Sequence, residues 1–294
     1  MSNDPDWEVE GRDWPNRSAS RFVMAGDLRW HVQVMGPDNA PVLLLLHGAG
    51  AATHSWRGLM PILAERFRVV APDLPGHGFT ATPTGHGLSL PAMARRAGGL
   101  LEALGMQPAL VVGHSAGAAV AIRMSLDGRL GAAPIVCING ALQPFGGAAA
   151  PLFQGVALGL FANPLAARLF AASARDTRRV ARMIEGTGSR IEPEGIDLYA
   201  RLFRKPGHVA GTLGMMGSWD LRSLVRDIPR LKAALTLVVG SRDQAVPPSV
   251  AAGVNAVMPG ATVVTLDGLG HLAHEEDAHA VADVIMQLAE GVTS

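Results

Sequence analysis

A chain of 294 residues with 48% hydrophobic and 17% charged side chains can bury at least one large core, which excludes a disordered tail or a disulfide-stapled mini-protein. Its 25 basic and 25 acidic residues balance, so no overall field draws it to nucleic acid or to an anionic membrane. Cys137 is the sole cysteine, so no disulfide can form within the chain, which fits a reducing compartment.

The opening carries Asp4, Asp6, Glu8, Glu10 and Asp13 where a secretory leader would be basic and then apolar, and it reads as a cytoplasmic start. Residues 28–34 alternate like a half-exposed antiparallel edge strand, whereas 41–46 are continuously apolar, as a strand buried on both faces is. Short apolar runs at 68–71, 109–112, 134–138, 234–239 and 262–266 repeat the second pattern. Between them, Ser89-Leu90-Pro91 caps a helix reaching about Leu104, and the small apolar stretch 115–126 predicts a helix buried on all sides. Residues 275–289 predict one closing amphipathic helix. Strands alternating with helices define an α/β class with a mostly parallel sheet.

That rhythm breaks between about Ala141 and Leu221, where helical patterns occur without a strand. We therefore read residues 1–141 and 222–294 as a core and 142–221 as an inserted helical cap. Residues 131–167 carry no charge, but Pro134, Pro144, Pro151 and Pro164 cut them into pieces shorter than the roughly 20 residues of a spanning helix. Residues 152–163 could lie at a membrane interface or line an apolar pocket. Arg175, Arg178, Arg179 and Arg182 recur at helical spacing, as a solvated helix face or an anion site would have them.

The chemistry centres on Gly113-His114-Ser115-Ala116-Gly117, because an apolar strand precedes it and a helix follows. That context turns the chain sharply at Ser115 and presents the hydroxyl at a helix N-terminus, where an oxyanion is favoured. A serine needs a base, and a neutral imidazole base needs a carboxylate to fix its tautomer. Asp243 and His271 both lie just beyond strand ends, in the order serine, aspartate, histidine. Asp243 could also be a turn residue before Val246-Pro247, and His274 is a rival base that begins the last helix. The loop His47-Gly48-Ala49-Gly50 follows the strand 41–46, and its Ala49 amide, with that of Ala116, is expected to form an oxyanion hole. His47, His114, Phe145 and Phe153 are candidate substrate contacts, as are Met215 and Trp219, which could equally pack the cap onto the core. The run containing His271, His274, His279, Glu275 and Glu276 matches no metalloprotease motif and reads as an exposed helix, without metal.

Together His47-Gly48, Asp73-Leu74-Pro75-Gly76-His77-Gly78, Gly113-His114-Ser115-Ala116-Gly117, Asp243 and Gly270-His271 resemble the α/β-hydrolase family. The resemblance implies an eight-stranded core with a helical cap after the sixth strand. It also implies Ser115 as nucleophile, Asp243 as acid and His271 as base, with no metal or organic cofactor. Asp13-Trp14-Pro15-Asn16-Arg17, Ser20-Arg21-Phe22-Val23 and Leu28-Arg29-Trp30-His31-Val32-Gln33 are similar to the magnesium-chelatase accessory branch of that family, which belongs to bacteriochlorophyll biosynthesis. Two functions follow: a serine hydrolase acting on an apolar ester or related carbonyl, or a non-catalytic accessory protein. The second would bind a tetrapyrrole intermediate or a chelatase subunit through its cap, with peripheral contact to the inner membrane.

Overall fold

Neighbouring residues of a strand point to opposite faces, and in the central strands both sets are apolar. Leu44, Leu46, Val111, Ile135 and Cys137 pack into one buried cluster, while Leu43, Leu45, Leu110, Val112 and Val136 pack into another. A sheet covered on both sides is the result. The computed structural model describes residues 2–144 and 164–290. Its strands are β1 (Ser20–Ala25), β2 (Leu28–Met35), β3 (Val42–Leu46), β4 (Arg68–Pro72), β5 (Pro108–His114), β6 (Ile135–Ile138), β7 (Leu235–Gly240) and β8 (Thr262–Leu266). They lie in the order β1-β2-β4-β3-β5-β6-β7-β8. β2 runs antiparallel to β1 and β4, and the remaining pairs are parallel.

Helix α1 (Leu59–Leu63) covers one face, and α2 (Leu90–Leu104) with α3 (Ala116–Leu126) covers the other. Gly105 ends α2 at φ 64°, a left-handed cap. Between β6 and β7 the described residues form α4 (Pro164–Ser173), α5 (Thr177–Glu185), α6 (Pro193–Phe203), α7 (Pro206–Gly217) and α8 (Arg222–Asp227). Ala167, Ala171, Val180, Ile184, Tyr199 and Phe203 bury one another, together with Ala51 and Leu272 from loops at the C-terminal edge of the sheet. The helical cap is thus seated on that edge. α9 (Ser249–Val257), α10 (Ala273–Glu276) and α11 (Ala278–Glu290) complete the described chain. Among the described residues no helix is long and apolar enough to cross a membrane. Residues 152–163 lie outside the described residues.

Two expectations are corrected. β2 is not an exposed edge: β1 pairs along its outer side, and its polar alternates His31 and Gln33 are fully buried. The reason lies in the amino-terminal residues, which cover that face. The Trp7 ring packs 4.8 Å from the His31 ring, and Gln33 Nε2 donates to the Pro15 carbonyl at 2.6 Å. The closing helix is also broken in two, because Asp277 leaves helical geometry and accepts a hydrogen bond from the Ala280 amide at 2.9 Å. On α5, capped by Asp176, Arg178, Arg179 and Arg182 are exposed as a solvated face.

Candidate active site

β5 ends at His114 and α3 begins at Ala116, so the chain must turn within one residue. Ser115 does this at φ 51°, a backbone that side chains rarely adopt. Neighbouring backbone holds the strain: the Ser115 amide donates to Ile138 O at 3.0 Å, and the Ala118 and Ala141 amides donate to Ser115 O at 3.2 and 3.1 Å. The flanking glycines permit the approach. A Cβ on Gly117 would lie 2.0 Å from the Leu46 carbonyl oxygen, and one on Gly113 would lie 2.6 Å from the backbone of Ala118. Gly117→Ala should therefore destabilise the protein by about 3 kcal/mol, since neither backbone can swing aside. A thermal melt unchanged from wild type would contradict this packing.

The loop after β3 closes on the same turn: a Cβ on Gly48 would sit 3.0 Å from Ser115 Cβ. Ala49, next along, is exposed, while Ala116 is buried at the first position of α3. Asp243 follows β7 and is almost fully buried. Its Oδ1 accepts from the Ala245 and Val246 amides, both at 2.8 Å, while Oδ2 lies 2.8 Å from His271 Nδ1. The turn role and the imidazole contact thus coexist on one carboxylate.

Two residues hold the loop of His271, the base loop, to the sheet. His114 Nε2 donates to His271 O at 2.9 Å, and its ring packs 4.8 Å from the His271 ring. Asn139, just past β6 and at φ 47°, donates from Nδ2 to Gly270 O and His271 O at 2.9 and 2.8 Å. Its Oδ1 accepts from the Gly240 amide at 2.8 Å, so it ties the end of β7 to the base loop. Sequence reasoning missed Asn139. The available signal was an asparagine directly after a buried strand, the residue type most tolerant of left-handed backbone. Among the described residues the Ser115 hydroxyl makes no hydrogen bond, and the adjacent His114 holds the main chain of His271.

His274, the rival base, is fully buried: its Nε2 lies 2.9 Å from Ser55 Oγ, and burial pushes its imidazole down to about 3. Glu275 is also buried, accepting from Ser55 and Tyr199 at 2.6 and 2.7 Å and pairing with Arg57. The exposed-helix expectation is corrected for His274 and Glu275, because α10 is tucked beneath the cap, whereas His279 on α11 is exposed.

The candidate substrate contacts fare unevenly. His47 is fully buried with both ring nitrogens engaged: Nδ1 donates to Gly48 O and Nε2 accepts from the Leu74 amide, each at 2.8 Å. It shapes the loop after β3 instead of facing a ligand. His114 is likewise buried and serves the base loop. Met215 is buried in the main core, and Trp219 is half-buried against it. Phe145 and Phe153 lie outside the described residues.

Residues 43–284 match the model described as the alpha/beta hydrolase family, and the chain belongs to that family. It is 39% identical over 279 residues to the magnesium-chelatase 30 kDa subunit of Rhodobacter capsulatus, a match covering 95% of this chain and 97% of that protein. Among solved structures, an enol-lactonase from Burkholderia xenovorans superposes with TM-score 0.75 at 19% identity, over 92% of this chain and 100% of that one. A haloalkane dehalogenase loop variant from Bradyrhizobium elkanii superposes with TM-score 0.74 at 20% identity, over 93% and 97% of the two chains. At those identities the two structures show a shared fold.

Proposed function

We propose that this chain is a serine hydrolase that cleaves an apolar ester or related carbonyl compound in the setting of magnesium chelation. The observation that carries the chemistry is a strained Ser115 at the end of β5, whose neighbour His114 binds the main chain of His271, an imidazole with Nδ1 2.8 Å from a buried carboxylate. Ser115 Oγ attacks the carbonyl carbon while its proton passes to His271 Nε2. Asp243 accepts from Nδ1 and stabilises the imidazolium. The amides of Ala49 and Ala116 hold the oxyanion, each contributing roughly 3 to 4 kcal/mol to the transition state. The tetrahedral adduct then collapses: the leaving group takes the proton from Nε2, and the acyl group stays on Oγ. Water then gives a proton to His271 and attacks the acyl carbon; the bond to Oγ breaks, the proton on Nε2 returns to Ser115, and the acid leaves. The serine–histidine hydrogen bond forms in the substrate complex, where such bonds tighten. The described cap helices, α4 to α7, enclose the acyl group.

A fluorophosphonate probe tests this directly. Wild type should be labelled and Ser115→Ala should not. An unlabelled wild type, beside a serine hydrolase labelled under the same conditions, removes the nucleophile.

A second reading rests on the near full-length likeness to the magnesium-chelatase 30 kDa subunit. On it, the protein assists that complex as an accessory subunit, through contact with a chelatase subunit or a tetrapyrrole, without acyl chemistry. Complementation separates the two in a bacteriochlorophyll-making strain that lacks the gene. Loss of pigment with Ser115→Ala supports the hydrolase, whereas full pigment supports the accessory role.

A further inference from the structure

We infer that the cap turn Thr187-Gly188-Ser189 positions the acid and base loops of the site, so that the geometry of the Asp243–His271 pair depends on how the cap is seated. This rests on the serine hydrolase reading and adds a residue set to it. The Thr187 carbonyl accepts from two amides at once, Gln244 in the acid loop at 3.1 Å and His271 in the base loop at 3.4 Å. Two residues on, Ser189 Oγ accepts from the Leu272 amide at 2.8 Å. Ser189 is fully buried and its hydroxyl lies 3.0 Å from that of Thr187, which in turn donates to Ile184 O at 2.6 Å. A line of hydroxyls thus runs from the end of α5 to the residue after the base.

Backbone packing at Gly188 explains how this turn reaches both loops. At φ 84°, a Cβ on Gly188 would lie 2.0 Å from Arg242 O, and one on Gly270 would lie 2.3 Å from Gly188 O. The cap backbone is therefore wedged between the residue before the acid and the residue before the base. Arg242 N also donates to Leu269 O at 2.8 Å, which joins the two loops beneath the wedge. Glu276 closes the bracket, accepting from the Arg190 amide at 3.1 Å and the Gly270 amide at 2.8 Å. Three backbones meet at van der Waals distance, so displacing one moves the others.

Removing the Ser189 hydroxyl strands a buried Leu272 amide and frees the base loop on its cap side. Ser189→Ala should slow fluorophosphonate labelling and lower kcat for p-nitrophenyl butyrate by about tenfold, with KM nearly unchanged, since small misplacements of reacting groups carry penalties of this size or larger. Ser189→Thr, which keeps the hydroxyl, should restore both. The downfield imidazole N–H proton of His271 should broaden in Ser189→Ala and remain in Ser189→Thr. Thr187→Val keeps the Thr187 carbonyl contacts to Gln244 and His271 while removing the hydroxyl beside Ser189, and carries the same test if Ser189→Ala does not accumulate folded. Equal labelling rates and an unchanged imidazole signal in Ser189→Ala would overturn the positioning role while leaving the hydrolase reading intact. A wild type that is never labelled would remove both together.

Discussion

Asp243→Asn should lower kcat for ester hydrolysis by about four orders of magnitude while the protein stays folded, the effect known when a triad histidine is left in the wrong tautomer. The geometry explains the size. Oδ1 of Asp243 is fixed by the amides of Ala245 and Val246, so the asparagine oxygen would keep that position and its amino group would face His271 Nδ1. An amino group donates and cannot accept. His271 would then carry its proton on Nε2, the atom that must receive the proton of Ser115. The two amide contacts survive, so the fold is retained and the loss falls on kcat. Steady-state kinetics on p-nitrophenyl butyrate, with a circular dichroism melt of the same sample, tests this. An asparagine variant with more than about a tenth of wild-type kcat would show that Asp243 does not orient the base.

Acid should unfold this protein well before its carboxylates titrate. Burial depresses His208 to about 4 and His274 to about 3, and it also lowers His47, His54, His77 and His114. These imidazoles are neutral in the folded chain, whereas in the unfolded chain they take up protons near 6.5. A group whose folded pKa is depressed in this way favours unfolding as pH falls below its unfolded value. At pH 5, His208 and His274 together remove about 4 kcal/mol, a large part of a typical stability of about 5 to 15 kcal/mol. The other four act in the same direction.

Two buried carboxyls modify the profile at its lower end. Burial works to raise Asp73, but His31 beside it, His47 and the Phe79 amide outweigh that and hold it well below the usual carboxylate range. Its contribution is therefore present above about 4 and fades only at lower pH. Burial pushes Glu275 upward, so its protonation in the folded state offsets part of the histidine loss as pH falls through that range. Urea midpoints between pH 7.5 and 4.5 should fall steeply below about pH 6.5. A flat profile over that window would mean that the buried imidazoles are solvated or paired in solution. His208 contributes locally as well, since its Nδ1 accepts from the Gly78 amide at 3.0 Å and its Nε2 donates to Gly50 O at 3.1 Å. Protonation would break the first bond and loosen the cap from the loop after β4.

The amino-terminal residues show how local reading and packing divide the work. Trp14 belongs to the amino-terminal segment that resembles the accessory branch, but its partner is not visible in the sequence: its Nε1 donates to Thr53 Oγ1 at 2.9 Å beside the loop after β3. Lys205 pairs with Glu10 at 2.8 Å and Arg201 with Asp13 at 2.6 Å, so the acidic opening fastens α6 and α7 to the core. The charges were legible. Their partners, nearly 200 residues away, were not.

By itself the sequence determined the α/β class and the helical interruption after β6, and it nominated the residues proposed as the site. Each of these is written in a local rule: apolar runs for doubly covered strands, small residues around a forced turn at Ser115, and polar residues just past strand ends at Asp243 and His271. Tertiary structure alone decided that β2 is covered by the opening residues, that His47 and His114 brace loops, that His274 lies beneath the cap, and that Asn139 and Ser189 hold the base loop. Those outcomes depend on which distant backbones approach within van der Waals distance. No spacing along the chain encodes that approach, because it arises only when separately formed layers are packed together.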